Sequence, residues 1–254
     1  MTQGACLSPL RAPWLAFIAA GLLALGPACR AAPAPVAAAD APLYANLKGE
    51  ALLDNDRVFV QKFFVQPGQS TGVHTYANDE LLVFVKGGVL QSNSTGRAVL
   101  WKDGRVAFHA ASSQDDAGST NTGGTPIEMI AVALKPVAES AAVPAGTPPK
   151  YRYLNYPNIP GEDLLENDWV IVQRFVVNPG QWEGVHAHHP DMLYIHIKGG
   201  QWAARSKGEP PHPYPHPSAD GSVGWMATIP LSEEHQSGNV GPNPIDLIWV
   251  TLKK

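Results

Sequence analysis

PGQWEGVHAHHPDMLYIHIKGG, Pro179 to Gly200, is the stretch whose reading decides the fold. It reads as a strand, a tight turn and a second strand. His186 and His188 are two apart, so on a strand both side chains leave the same face. They would stand about 7 Å apart along it, within reach of one ion. His189-Pro190-Asp191 supplies the turn, since Pro cannot donate to a ladder and Asp favours turns. The chain returns as Met192-Leu193-Tyr194-Ile195-His196-Ile197 and closes on Gly199-Gly200. In such a hairpin Met192 lies opposite or diagonal to His188, about 5–8 Å away. A third ligand there would complete a cluster, but a thioether is a poor ligand for a hard ion.

Working outward, the stretch belongs to a repeat. LLDNDRVFVQKFFVQPGQSTGVHTYANDELLVFVKGG (Leu52 to Gly88) aligns without a gap on LLENDWVIVQRFVVNPGQWEGVHAHHPDMLYIHIKGG (Leu164 to Gly200). The offset is 112, and roughly 20 of the 37 positions are identical, which chance does not produce. Tyr44 and Asn46 fall on Tyr156 and Asn158, and Pro126 to Lys135 matches Pro244 to Lys253. Each copy is about 100 residues, an ordinary domain size. Four segments are expected. Residues 1–39 are a leader and flexible N-terminal stretch, and 40–136 the first domain. Residues 137–150 are a Pro/Ala linker, and 151–254 the second domain.

The leader reads as a secretory signal peptide. Arg11 precedes an apolar run from Trp14 to Leu25, followed by Gly26-Pro27 and small residues. That run is too short to span a membrane, which needs ~20 residues. Export to the periplasm or the exterior is expected. Cys29 loosely resembles a lipoprotein box and offers a lipid anchor as the alternative ending. Cys6 and Cys29 are the only cysteines, so cleavage beyond them leaves no disulfide framework. The net charge of −4 gives no basic surface for nucleic acid.

Within each copy, short apolar runs alternate with turn signals. Strands are expected over 57–66, 81–86, 99–101, 105–108 and 127–134. In the second copy they are expected over 169–177, 193–198, 223–229 and 245–252. With 24 Gly and 24 Pro and no sustained helical period, the chain is all-β, a sandwich or barrel in duplicate.

Gly180-x5-His186-x-His188-x3-Met192-x6-Gly199 resembles the first motif of the cupin superfamily, G-x5-H-x-H-x3,4-E-x6-G. Gly224-x5-Pro230-x-Ser232-x2-His235-x3-Asn239 is similar to the second, G-x5-P-x-G-x2-H-x3-N. The first copy gives Gly68-x5-His74-x-Tyr76-x3-Glu80-x6-Gly87. The chain thus looks like a bicupin. The resemblance implies two tandem jelly-roll barrels (double-stranded β-helices), each built to hold a divalent ion with three His and one Glu. Carried over, it puts His186, His188 and His235 on a metal in the second barrel, with Met192 in place of the Glu. In the first barrel it gives His74, Tyr76, Glu80 and, counting from Gly104, Asp115. Counting back from Asn121 puts Ala117 there instead.

Three imidazoles with an open position suit Zn²⁺, Fe²⁺, Cu²⁺ or Ni²⁺. His74, Tyr76 and Glu80 read more naturally as a hydrogen-bonded cluster. Tyr194 shares Met192's face and is the candidate acid/base or orienting group. His196, further along, reads as a satisfied core imidazole bordering the pocket. Trp182 and Glu183 are placed at the pocket rim, His189 and Asp191 on the surface. The Pro-rich loop Glu209 to Gly221 reads as an extended cover. A structural or storage-like bicupin whose barrels merely pack together is one reading, and two functions compete with it. One is an exported metal-dependent dioxygenase, lyase or isomerase acting on a small organic acid. The other is a non-catalytic bicupin that binds or senses a small molecule. A homodimer fits either, although two copies in one chain can satisfy that association internally.

Overall fold

The computed structural model describes residues 43–136, 153–206 and 208–253. The expected signal peptide and linker lie outside them. Ten strands build the first half: β1 (Glu50–Asp54), β2 (Val58–Val65), β3 (His74–Tyr76), β4 (Glu80–Lys86), β5 (Gly88–Ser92), β6 (Ala98–Trp101), β7 (Val106–His109), β8 (Ser112–Asp116), β9 (Ser119–Asn121) and β10 (Ile127–Leu134). Eight build the second: β11 (Glu162–Glu166), β12 (Val170–Val177), β13 (Met192–Lys198), β14 (Trp202–Arg205), β15 (His212–Pro213), β16 (Val223–Met226), β17 (Gln236–Asn239) and β18 (Ile245–Leu252). Among the described residues no helix is long and apolar enough to cross a membrane.

The two large sheets repeat one order, β1-β2-β10-β4-β7 and β11-β12-β18-β13-β16, all antiparallel. Even the bulge recurs, between Ala51 and Leu53 and again between Asp163 and Leu165. Smaller sheets, β6-β5-β9 and β15-β14-β17, complete the jelly rolls. The loop from Glu209 is not wholly irregular: His212–Pro213 pairs with Ala203 and Ala204 as an edge strand.

The central strands β10 and β18 are buried at every position. Successive side chains leave opposite faces, so both faces must be covered. Ile127, Met129 and Ala131 point into the first barrel, and Ile245, Leu247 and Trp249 into the second. Ile130, Val132 and Leu134 turn the other way and meet Ile248, Val250 and Leu252 in one shared core. Val58, Val60, Leu81, Val83 and Val85 join it from the first half. Val170, Val172, Leu193, Ile195 and Ile197 join from the second. The two halves therefore pack sheet on sheet. At one edge Arg57 of the first half pairs with Asp191 of the second. Asp191 is thus not a plain surface residue. Its left-handed backbone (φ 59°) turns the chain into β13, a conformation Asp tolerates.

The paired glycines closing β4 and β13 are required by close approach. A Cβ at Gly199 would lie 2.0 Å from the Ser218 carbonyl oxygen, and one at Gly87 would lie 2.0 Å from that of Trp101. Backbone cannot yield as a flexible side chain can. Gly199→Ala is expected to cost about 1–3 kcal/mol. Chemical denaturation measures it, and an unchanged midpoint would contradict the close approach.

Candidate metal centre

The stretch 179–190 does not form a hairpin with β13. It runs instead against the segment that carries His235. The Gly180 amide donates to Asn239 O (2.8 Å), that of Glu183 to Ser237 O (2.9 Å) and that of His186 to His235 O (3.2 Å). His188 and Ile229 exchange both backbone bonds, at 3.0 and 3.1 Å. This ladder brings the first-motif imidazoles onto the second-motif one. Gly184 prepares the turn into it at φ 85°, a left-handed conformation that favours glycine. On the other segment Glu234 is left-handed (φ 47°) at the end of the 3-10 turn Leu231–Glu233, reversing the chain just before His235.

His186, His188 and His235 each place a nitrogen within 4.8 Å of the other two. His186 Nε2 and His188 Nε2 are 2.9 Å apart. Two nitrogens bound tetrahedrally to one Zn²⁺ would be about 3.3 Å apart, so only a small adjustment separates this arrangement from a shared ion. His186 Nδ1–H donates to the Gly184 carbonyl at 2.9 Å, which leaves the Nε2 lone pair facing its neighbours. His188 Nδ1 is buried without a partner. Burial pushes His186 down to about 4, against the bond from the Gly184 carbonyl. Burial and then the two neighbouring imidazoles push His188 down to about 3. Burial also lowers His235. At neutral pH all three are uncharged donors, the form a metal needs. The donor set therefore fits a borderline divalent ion.

Beside the trio lies a cavity of about 60 Å³. Tyr194 lines it, its ring edge-on to Trp249 (5.3 Å) and to His196 (5.4 Å). Burial raises the Tyr194 pKa, so the phenol stays protonated. His196 also borders the cavity, with both ring nitrogens engaged. Its Nε2 accepts from Trp202 Nε1 at 3.0 Å, and its Nδ1 is 3.0 Å from Ser222 Oγ. Burial pushes it down to about 4.

Three placements differ from the sequence reading. Met192 does not stand opposite His188 across a hairpin. It pairs with Met226 and Thr251 and is fully buried in the barrel core, while Met226 lines the cavity. Trp182 does not line the cavity either; its ring lies under the Arg205 guanidinium at 4.3 Å. Glu183 is not at the rim. It is 2% exposed inside the barrel, with Oε2 3.8 Å from His186 Nε2 and accepting from the Ser237 amide at 3.2 Å. Burial pushes its carboxyl up to about 8. Tyr156, Trp202, Tyr214 and Trp249 also line the cavity and escaped the sequence reading. Only Tyr156 had left a signal, its match to Tyr44 in the repeat.

In the first barrel the cluster is of another kind. Tyr44 donates to Glu80, and Tyr76 donates to Asp116 at 3.2 Å. Tyr76 stacks on His109 at 4.6 Å, and His74 packs edge-on to Tyr44. Burial pushes Glu80 up to about 7. Asp115 takes no part and is exposed on β8. The ladder explains why. His74 pairs with Asp116 as the His186 amide bonds His235 O, which sets Asp116, neither Asp115 nor Ala117, at the place of His235. Among the described residues no metal-holding group of His, Cys, Asp or Glu forms in this half.

These buried groups set a pH dependence. His109, His186, His188, His196 and His235 are all lowered chiefly by burial. Unfolded imidazoles titrate near ~6.5, so below that the unfolded chain binds more protons than the folded one. Their contribution is therefore lost as pH falls from about 6.5 toward 4. Glu80, Glu128 and Glu183 are raised and act in the opposite sense, losing their contribution as pH rises. The imidazoles outnumber them. The thermal midpoint of metal-stripped protein is expected to fall between pH 6.5 and 4.5; a flat profile would mean the rings are solvated.

No protein-family model and no curated protein matches the chain. Solved structures do. AerE from Microcystis aeruginosa superposes with a TM-score of 0.52 at 11% identity, over 82% of this chain and 93% of its own. Salicylate 1,2-dioxygenase from Pseudaminobacter salicylatoxidans gives 0.52 at 10% identity, over 84% and 78%. A cupin 2 conserved barrel domain protein from Leptotrichia buccalis gives 0.48 at 10%, over 84% and 92%. At such identities the likeness speaks for the fold. The chain has the fold of a tandem cupin-type β-barrel protein.

Proposed function

We propose that the second barrel is the site of a metal-dependent enzyme acting on a small organic acid. His186, His188 and His235 hold one Fe, Zn, Ni or Cu ion, and the adjoining cavity takes the substrate. The observation that carries this is three neutral imidazoles from two separate segments meeting beside a small cavity that His188 lines. The bound ion would supply a Lewis acid with a position open to exogenous ligand.

The chain's own groups do the rest. The cavity holds roughly four or five waters, so it suits a ligand of a few heavy atoms. Trp249 Nε1–H is buried at the cavity wall near the Tyr156 hydroxyl, a donor that can turn to a carboxylate oxygen. The protonated Tyr194 hydroxyl can hydrogen-bond the same ligand or pass it a proton. Trp202 and Trp249 exclude water. Dioxygenase, lyase and isomerase chemistry all meet these conditions. The fold-level likeness to salicylate 1,2-dioxygenase lends analogy to the first. Export through residues 1–39 belongs to the same reading, and fusing that segment to a reporter active only outside the cytoplasm tests it.

One observation favours the second reading, a binding module without turnover. His186 and His188 can hydrogen-bond each other across 2.9 Å, so the cluster can satisfy itself without an ion. Protein from residue 40 onward, loaded in turn with Fe²⁺, Zn²⁺, Ni²⁺ and Cu²⁺, separates the two when offered a panel of small carboxylic acids. Tryptophan quenching reports binding and mass spectrometry reports turnover. Turnover that falls about tenfold or more in Tyr194→Phe supports the enzyme. Saturable quenching with no product under any ion leaves the binding module.

A further inference from the structure

The two barrels place a buried carboxylate against the same tyrosine from two different positions. In the first, Tyr44 donates to Glu80, at the start of β4. The repeat sets Tyr156 on Tyr44 and Met192 on Glu80, so that carboxylate is gone from the second barrel. Tyr156 nevertheless has a carboxylate partner, and it is Glu183. The residue matching Glu183 in the first barrel is Thr71. Thr71 Oγ1 accepts the Ser119 amide at 3.0 Å, as Glu183 Oε2 accepts the Ser237 amide at 3.2 Å. The anchor is the same; the longer side chain reaches past it into the barrel.

Glu183 sits 3.8 Å from His186 Nε2, and among the described residues no Lys or Arg pairs with it. Its side chain is buried beside the trio and lines the same cavity, where a bound cation would give it a charge partner. The geometry points to Glu183 as the carboxylate ligand of the second barrel, moved from position 192 to position 183. With three imidazoles it makes a three-nitrogen, one-oxygen set. It is not within the radius shared by the three rings, so a side-chain rotation brings its oxygen to the ion. An oxygen donor with a negative charge widens the site's range toward harder ions such as Mn²⁺. This inference rests on the three-imidazole reading above.

The test is metal affinity of the mature protein, measured for Mn²⁺ and Zn²⁺ by chelator competition in wild type, Glu183→Gln and Glu183→Gln/Met192→Glu. Glu183→Gln should weaken Mn²⁺ at least 10–100-fold and Zn²⁺ by distinctly less. A merely structural role would weaken both alike. The double variant, which puts a carboxylate at the position matching Glu80, should recover Mn²⁺. Equal affinities in wild type and Glu183→Gln would overturn the inference and leave the three-imidazole site standing. Failure of the wild type to hold either ion would overturn both.

Discussion

Replacing His186 and His235 together by alanine removes the ion from the protein: about one equivalent per chain in the wild type falls to background. His186 comes from the segment after Gly184 and His235 from the segment after the 3-10 turn, so the double change strips one ligand from each side. Of the three imidazoles only His188 remains, and one imidazole, even with a neighbouring carboxylate, does not retain a divalent ion through dialysis. The loss should exceed the roughly 10–100-fold that removing only a supporting partner costs. The effect is also visible in stability. An ion at 100 times its dissociation constant stabilises the folded state by about 2.7 kcal/mol, and the variant should gain none of this. The metal-free variant should keep its fold, because the core strands β12, β13 and β18 do not depend on the trio. Retention of a full equivalent by the variant would place the ion elsewhere.

Leu193→Ala should cost about 3–5 kcal/mol and melt both halves at once. Leu193 is fully buried on β13 and faces away from its own barrel, into the core shared with Val83, Val85, Ile130 and Val132. Removing it leaves a void that neither stiff sheet can close. Trp101 is the one tryptophan among the described residues of the first half, and Trp169, Trp182, Trp202, Trp225 and Trp249 lie in the second, so fluorescence of a Trp101→Phe background follows the second half alone and its difference from the parent follows the first. One coincident, down-shifted transition is the expected result. Two separate transitions, with only the second displaced, would mean the halves are independent. By the same reasoning residues 151–254 expressed alone would expose Val172, Leu193, Ile195, Ile248 and Val250 and aggregate.

What the sequence made legible was what local periodicity and internal comparison carry. The offset of 112 exposed the duplication, and the apolar runs at 127–134 and 245–252 are the strands they resembled, with the same bounds. A run apolar at every position says that both faces are covered, but not by what. That the covering is the other barrel is a tertiary fact. The His-x-His spacing was read as a hairpin with β13 because neighbours in sequence usually pair. The real partner lies some fifty residues on, at Ile229 to Asn239, and no period reveals such a pairing. Glu183 was set at the rim for the same reason: its depth follows from that distant ladder. Asp115 misses the site because the spacing from Gly104 to Asn121 differs from that between Gly224 and Asn239, and only the backbone pairing of His74 with Asp116 settles the register.

X-ray absorption at the edge of the ion carried by the mature protein tests the central claim most directly. Three imidazole nitrogens at about 2.0–2.1 Å, with the ring scattering of bound histidine, are the result this account requires. An ion bound through oxygen alone, or a first shell unchanged in His186→Ala/His235→Ala, would contradict it.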